Sequence, residues 1–175
     1  MNTRIAPLIS VAELAASPGG HVLVDCRFDL ADPAAGERSY VEGHLPGAIY
    51  AHLDRDLSGP VTPTSGRHPL PDPSTFAATL AAAGLEPDAR VVVYDQGAGA
   101  VAARLWWMLR AVGQRSVQVL DGGLAAWRAS GGALEQGFVR RERASARHAR
   151  AFTGAVSTAR SIHHSRAATA PAPWS

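Results

Sequence analysis

The sequence predicts an α/β fold in which a mostly parallel sheet carries helices on both faces. Three short runs, residues 21–26, 90–94 and 117–120, are apolar, rich in valine and without strict alternation of polar residues. Such runs are typical of strands that are buried on both faces. Helix-like segments lie between them, and glycine or proline separates neighbouring elements. Strands that alternate with helices join by right-handed crossovers into a parallel sheet.

The first third of the chain holds one short helix and two strand candidates. Ser10 is followed three residues later by Glu13, and this capping-box spacing predicts a helix that ends near residue 16. Residues 21–26 form the first strand candidate, and residues 48–50 form a shorter one. The intervening residues 27–47 are polar and rich in turn formers, so we expect no regular element there.

A long irregular loop precedes the next helix. Residues 58–73 contain five prolines and two glycines, which predicts a loop rather than a helix or strand. Asp72 can cap a helix, and Pro73 fits its first turn because the missing N–H would have no partner there. This helix should run to about residue 83, where Gly84 ends it.

The following segment repeats the alternation of strands and helices. We predict, in order, strand 90–94, loop 95–99, helix 100–112, strand 117–120, turn 121–123 and helix 124–129. At least one of Trp106 and Trp107 should face the core, because they are adjacent on a helix, and we expect Trp127 to pack under the turn 121–123.

Composition divides the chain into a domain, residues 1–139, and a basic tail, residues 140–175. The domain holds 10 arginines and 14 acidic residues, whereas the tail holds 7 arginines and only one acid, Glu142. Ten of the 36 tail residues are alanine and only four are large and apolar. Such a segment buries too little surface to offset its ordering entropy, so we expect disorder apart from a short helix near residues 141–151.

A basic arm could bind nucleic acid, but the tail has neither interleaved aromatic residues nor a helical pattern. We therefore expect no nucleic-acid partner. Its alanine, arginine, serine, proline and histidine are typical of an out-of-frame reading of a GC-rich gene.

Several classes of site are excluded by composition. The chain of 175 residues has one cysteine and no lysine, which excludes an internal disulfide, a cysteine-based zinc site and lysine chemistry. It has no His-x-x-x-His pair either, so we expect neither a metal nor a cofactor. No apolar stretch reaches 18 residues, and we expect a cytoplasmic protein without a membrane partner.

Ligands of open parallel α/β sheets bind beyond the carboxyl ends of the strands, so three regions are candidates: the loop after residues 91–94, the turn after residues 117–120 and the stretch after residues 22–26. The loop after strand 90–94 is the first candidate, because its glycines let backbone N–H groups converge on an anion at a helix N-terminus. Its first residue is Asp95, so a carboxylate occupies the place of that anion, and we expect Asp95 to cap the helix. The remaining loop residues are Gln96, Gly97, Ala98 and Gly99.

Four other side chains carry groups that could take part in chemistry or binding. Cys26 ends an apolar strand beside Asp25; burial and the carboxylate both raise a thiol pKa, so we expect a structural cysteine. His44 lies in a turn, which we expect it to hold through a side-chain hydrogen bond. Arg67 and His68 lie in the long loop, and because surface loops often carry binding residues, we expect these two side chains to face a ligand or a partner.

Four motifs together resemble the rhodanese family of sulfurtransferases. They are Val24-Asp25-Cys26-Arg27, Gly43-His44-Leu45-Pro46-Gly47, Val91-Val92-Val93-Tyr94-Asp95 with Arg104-Leu105-Trp106-Trp107, and Leu120-Asp121-Gly122-Gly123-Leu124 with Trp127. The match covers about residues 8–137 and is closest to the N-terminal domain of two-domain thiosulfate or 3-mercaptopyruvate sulfurtransferases.

The resemblance implies a five-stranded, mostly parallel sheet and a persulfide chemistry. In active domains a cysteine starts the loop after the central strand and carries sulfur from a small donor to an acceptor. Asp95 stands at the matching position, so the resemblance implies a degenerate site in a non-catalytic domain whose catalytic second domain is absent. We expect a truncated or frameshifted product that is inactive alone, exposes its domain-facing surface and self-associates.

Two alternatives remain open at this stage. An inactive rhodanese domain could serve as a regulatory or protein-binding module. The chain could also be a weak enzyme that uses Cys26, in which case Cys26→Ser would abolish its turnover of thiosulfate and cyanide.

Overall fold

The computed structural model describes residues 5–139, so the predicted disorder and short helix of the tail lie outside the described residues. The strands are β1 (Leu8–Ile9), β2 (Val22–Asp25), β3 (Ile49–Tyr50), β4 (Val91–Tyr94) and β5 (Val117–Leu120). The helices are α1 (Val11–Ala15), α2 (Ala35–Glu42), α3 (Pro73–Ala82), α4 (Ala100–Ala111) and α5 (Gly123–Ala129).

The strands form one sheet in the order β1-β5-β4-β2-β3, and each pair of neighbours is parallel. The predicted α/β class is confirmed, and the sheet is wholly parallel where the resemblance implied mostly parallel. β4 lies at the centre and all four of its residues are buried. The ends of β2 and β4 therefore meet in the middle of the sheet, where a parallel α/β fold places its ligands.

The two faces of the sheet carry separate apolar clusters. Val91 and Val93 of β4 pack with α3 and α4, whereas Val92 and Tyr94 pack with α1 and α5. Successive side chains of a strand point to opposite faces, so these clusters lie on the two sides of the sheet. Helices on both faces were predicted, and this arrangement confirms them.

The predicted absence of regular structure over residues 27–47 was wrong. Residues Ala35–Glu42 form α2, whose first residue follows Ala34, a position without a side-chain cap. Only Gly36 and Tyr40 of this helix are buried, so it shows no apolar stripe. A Cβ at Gly36 would lie 2.1 Å from the Arg27 carbonyl oxygen, and this close backbone approach is what places α2 against β2.

Strand β1 was also missed, because two residues are too few to show a period. It forms at the sheet edge beside β5, where the Val119 N–H donates to the Pro7 carbonyl at 2.8 Å and the Asp121 N–H donates to the Ile9 carbonyl at 2.9 Å.

The locally encoded features agree with prediction. Ser10 and Glu13 form the reciprocal capping box of α1, and Asp72 caps α3, which begins at Pro73. Trp106 packs against the core while Trp107 is exposed.

Trp127 has one contact that was not predicted. Its indole lies against Gly132 and donates to the Ala133 carbonyl at 2.8 Å, so it also holds the segment after α5, while its ring packs against the cluster that contains Leu120 and Leu124. Within residues 5–139 no helix is long and apolar enough to cross a membrane.

Candidate functional site

A cleft of about 290 Å³ opens at the carboxyl ends of the two central strands. Three segments line it: residues 27–29 after β2, the first two turns of α2, and residues 95–101 after β4. Two of the three regions predicted for ligands therefore meet. The third, the turn after β5, packs behind the Asp95 loop, because the Leu124 N–H donates to the Asp95 carbonyl at 3.0 Å.

Asp95 closes the base of the loop with its carboxylate. Oδ1 accepts hydrogen bonds from the N–H groups of Gly97 and Gly99, both at 2.9 Å. Oδ2 accepts from the N–H groups of Val101 at 3.2 Å and Ala102 at 3.3 Å, in the first turn of α4. The predicted capping role is confirmed.

Two glycines allow these N–H groups to converge. Gly97 has φ +150° and Gly99 has φ +78°, conformations that other residues rarely adopt. The positive end of the α4 dipole points at the same place. The loop is thus a four-donor cradle for one anionic group, and the side chain of Asp95, only 7% exposed, supplies that group.

A buried ion pair lies at the end of β2, beside the cleft. The Arg27 Nη2 atom lies 2.8 Å from Asp25 Oδ2, and it also donates to the Gly43 carbonyl at 2.8 Å and the Ser39 carbonyl at 3.2 Å. Burial and the nearby Asp25 carboxylate raise the pKa of the Tyr94 phenol far above its ordinary value. Buried charges persist only when paired and hydrogen-bonded, so Asp25 and Arg27 hold β2, α2 and the next turn together.

This ion pair was not predicted from the sequence to be part of the site. A signal was available, because two opposite charges two residues apart ended an apolar strand.

Cys26 lies in the core and does not line the cleft. Its Sγ donates to the Tyr94 carbonyl at 3.1 Å, and its side chain has no exposed surface. Burial raises the pKa of the thiol well above its ordinary value, and the carboxylates of Asp25 and Asp95 raise it further. The structural role predicted for Cys26 is confirmed.

His44 holds its turn, as predicted. Its Nδ1–H donates to the Tyr40 carbonyl at 2.8 Å, and its ring stacks on the Tyr40 ring with centroids 4.0 Å apart. Because His44 is fully buried, it offers no base to a ligand in the cleft.

Arg67 and His68 lie beside the cleft but do not line it. Arg67 Nη2 donates to the Leu30 carbonyl at 2.8 Å. His68 Nδ1 lies 3.0 Å from Asp54 Oδ1, and its ring meets the ring of Phe28 edge-on, with centroids 6.0 Å apart. Phe28 lines the cleft, so His68 contacts a residue of the cleft without lining the cleft itself.

The partnership of His68 with Asp54 had no signal in the sequence, since the two residues lie in irregular segments. Within residues 5–139 no group of three or more histidine, cysteine or acidic side chains could hold a metal ion.

Comparison with known proteins gives consistent matches. The Rhodanese-like domain family matches residues 10–130. The "Probable 3-mercaptopyruvate sulfurtransferase" of Pseudomonas aeruginosa is 53% identical over 136 residues, which are 75% of this chain and 48% of that protein. The 3-mercaptopyruvate sulfurtransferase of Escherichia coli is 38% identical over 121 residues, 67% of this chain and 41% of that protein.

Solved structures agree with these relatives. The 3-mercaptopyruvate sulfurtransferase from Leishmania major superposes with a TM-score of 0.71 at 34% identity, over 79% of this chain and 39% of that one. The chain spans 48% of the length of the Pseudomonas aeruginosa relative and 41% of that of the Escherichia coli relative.

Proposed function

Because this chain belongs to the rhodanese-like family, we propose that it forms the non-catalytic domain of a thiosulfate or 3-mercaptopyruvate sulfurtransferase. Its relatives carry one or both of these names, and it spans only part of their length. In this proposal the sulfur-carrying thiolate belongs to a second rhodanese domain. The domain described here packs against that second domain and closes its active-site cleft.

The observation that carries the proposal is the occupied cradle at Asp95. Sulfur transfer from thiosulfate needs a thiolate that attacks the outer sulfur, so that the sulfur–sulfur bond breaks and sulfite leaves. The resulting persulfide then gives its terminal sulfur to cyanide, which forms thiocyanate and restores the thiolate. Four N–H groups suit the negative charge of a persulfide, but here they are bonded to a carboxylate that cannot carry sulfur.

The only thiol of the chain supports the same assignment. Cys26 is buried behind the cleft with a raised pKa, so it is neither ionised nor accessible at neutral pH. Asp95 is therefore proposed to stand where an active domain has its cysteine.

Arg67 and His68 are proposed to face the second domain and the anionic substrate. Arg67 is exposed, and the His68 imidazole lies with its Nδ1 atom 3.0 Å from Asp54 Oδ1. Leu30 and Leu70 are 55% and 53% exposed, and the Arg67 side chain bridges their two segments. We assign these apolar side chains to the contact with the second domain.

The central test compares the chain with its Asp95→Cys variant. Each is incubated with thiosulfate, examined by intact-mass spectrometry for one added sulfur atom, and assayed for thiocyanate after addition of cyanide. We expect no adduct and no turnover for the unaltered chain, and both for Asp95→Cys. Gln96→Cys is the matched control, because it places a thiol in the same loop outside the cradle.

Two outcomes would contradict the proposal. A persulfide on Cys26 of the unaltered chain would make this domain an enzyme in its own right. A folded Asp95→Cys variant that takes up no more sulfur than Gln96→Cys would show that the cradle is not a sulfur site.

The exposed apolar side chains also favour a second candidate, an inactive module that binds another protein. Both candidates predict self-association of the isolated chain, which light scattering would detect and which Leu30→Ser with Leu70→Ser should reduce. Gain of sulfur uptake by Asp95→Cys favours the sulfurtransferase domain, and its absence favours the module. A cytoplasmic location remains part of the proposal, and cell fractionation would test it.

A further inference from the structure

Arg104 is a partly buried arginine for which the described part of the chain, residues 5–139, shows no acidic partner. None of the ion pairs found among residues 5–139 includes it. Burial lowers the pKa of its guanidinium, which reflects the cost of taking this charge out of water. Its Nη2 instead donates to two backbone carbonyls, those of Leu57 at 2.8 Å and Pro69 at 3.2 Å.

These two carbonyls mark the neck of the long loop. Leu57 and Pro69 lie twelve positions apart, yet one nitrogen atom reaches both. The Gly59 N–H also donates to the Pro69 carbonyl at 2.9 Å, so the ends of the loop are joined directly. A Cβ at Gly59 would lie 2.9 Å from the Leu70 carbonyl oxygen, which shows how closely the backbones at the two ends of the loop approach each other. The segment is a closed Ω-loop.

We propose that Arg104 is a positioning residue that holds the loop 58–71 against α4 and so fixes Arg67 and His68 beside the cleft. Helix α4 supports both parts of the site, because its Ala102 N–H bonds to Asp95 two residues before Arg104. The guanidinium therefore connects the cradle to the loop through one rigid helix. This inference rests on the proposed function only for what Arg67 and His68 face.

The side chain suits this task. A guanidinium carries five N–H donors in a plane, so it can bridge carbonyls from two separate segments. An apolar side chain of similar length would keep the packing of the stem and lose both hydrogen bonds. A lysine would keep a charge and three donors at nearly the same reach.

Limited trypsin digestion of the full chain tests the proposal, because Arg67 lies inside the loop. We compare Arg104→Met and Arg104→Lys with the unaltered chain, and use Arg110→Met as the matched control on the same helix, where the side chain is exposed. Proteolysis of a locally open segment follows the population of the open state. Arg104→Met should increase the initial rate of cleavage after Arg67 by about tenfold, since two hydrogen bonds to a charged donor are lost.

A spectroscopic measurement separates the positioning of His68 from general stability. In the unaltered chain the rings of His68 and Phe28 are close enough for nuclear Overhauser contacts. Arg104→Met should weaken these contacts, Arg104→Lys should restore most of them, and Arg110→Met should leave them unchanged. Gly59→Ala should weaken them too, because it disturbs the neck without touching the arginine.

These two measurements test the positioning role of Arg104 without an assay of sulfur transfer. Faster cleavage confined to Arg67, with loss of the ring contacts and rescue by lysine, supports the proposal. Equal acceleration after Arg67, Arg90 and Arg115 would overturn it, since Arg104 would then serve only global stability. Unchanged cleavage and contacts in both Arg104→Met and Gly59→Ala would overturn it as well. If Asp95→Cys takes up no sulfur while the Arg67-specific result holds, the proposed function fails and the positioning role stands.

Discussion

Replacement of Asp95 by alanine should destabilise the domain more than loss of any ordinary helix cap. The carboxylate accepts four backbone N–H groups and is 7% exposed. A typical cap contributes about 1 kcal/mol. Loss of a buried charged acceptor lowers the free energy of unfolding by about a further 1–3 kcal/mol, because the N–H groups that bonded to it are left without an acceptor.

The magnitude follows from where the donors lie. Gly97 is exposed and Gly99 half-buried, so their N–H groups can turn toward water, whereas Ala102 is fully buried and cannot. We therefore expect a total loss of about 3 kcal/mol. For a domain of this size that loss corresponds to a fall in Tm of about 10 °C.

Asp95→Asn should fall between these extremes. An amide keeps one acceptor oxygen for the pair at Gly97 and Gly99, but its NH₂ group cannot accept from Val101 and Ala102. We expect a loss of about 1.5–2 kcal/mol for this variant.

Asp72→Ala provides the internal comparison. Asp72 also caps a helix, but it is exposed; its carboxylate accepts from the N–H groups of Ser74 and Thr75, at 2.8 and 3.3 Å, and from the Ser74 hydroxyl. Its loss should cost about 1 kcal/mol. Urea and thermal unfolding, followed by circular dichroism, measure all three variants. A loss of stability in Asp95→Ala no larger than in Asp72→Ala, or an Asp95→Asn variant as stable as the unaltered chain, would contradict the role of all four N–H donors at Asp95.

Three further predictions follow from single residues. The thiol of Cys26, buried with a raised pKa, should react with iodoacetamide at least about 100-fold more slowly in the native chain than in urea; equal rates would contradict its place in the core. Gly36→Ala should cost about 3 kcal/mol or more in urea unfolding, because its Cβ would lie 2.1 Å from the Arg27 carbonyl oxygen; a near-neutral variant would show that α2 can move away freely. The hydrogen bonds from Ser10 hold the pKa of Glu13 below its ordinary value of 4.5. The capping box therefore adds stability above that pH and loses it as the pH falls through the lower, folded-state pKa. The stability gap between the chain and Glu13→Gln should narrow in acid, and a gap that is the same in acid and at neutral pH would contradict this.

The accuracy of the sequence-based predictions depended on how far apart the interacting groups lie in the chain. The caps at Ser10 and Asp72 were predicted because cap and partner are two or three residues apart. The four consecutive buried residues of β4 were visible as an uninterrupted apolar run. Helix α2 was not visible, because it has no capping side chain and packs through Gly36, which carries no hydrophobic signal.

In the candidate site, too, interactions between residues close in sequence were predicted and those between distant segments were not. A carboxylate that starts a glycine-rich loop before a helix was enough to predict that Asp95 caps α4. The folded path of the loop decides that both carboxylate oxygens of Asp95 accept hydrogen bonds, from four backbone N–H groups in all. Arg67 and His68 were proposed from their loop, but the Asp54 partner of His68 and the two carbonyls bound by Arg104 were not predicted at all.

The sequence by itself determined the α/β class, the central strands, the capped helices and the lack of a thiol at the loop after β4. These features are decided by residue type and by neighbours a few positions away. The tertiary structure decided which loops meet at the cleft, and that Arg104 joins α4 to a loop 35 to 47 residues earlier in the chain. Those contacts form only when parallel crossovers bring distant segments together, so no local pattern in the sequence could encode them.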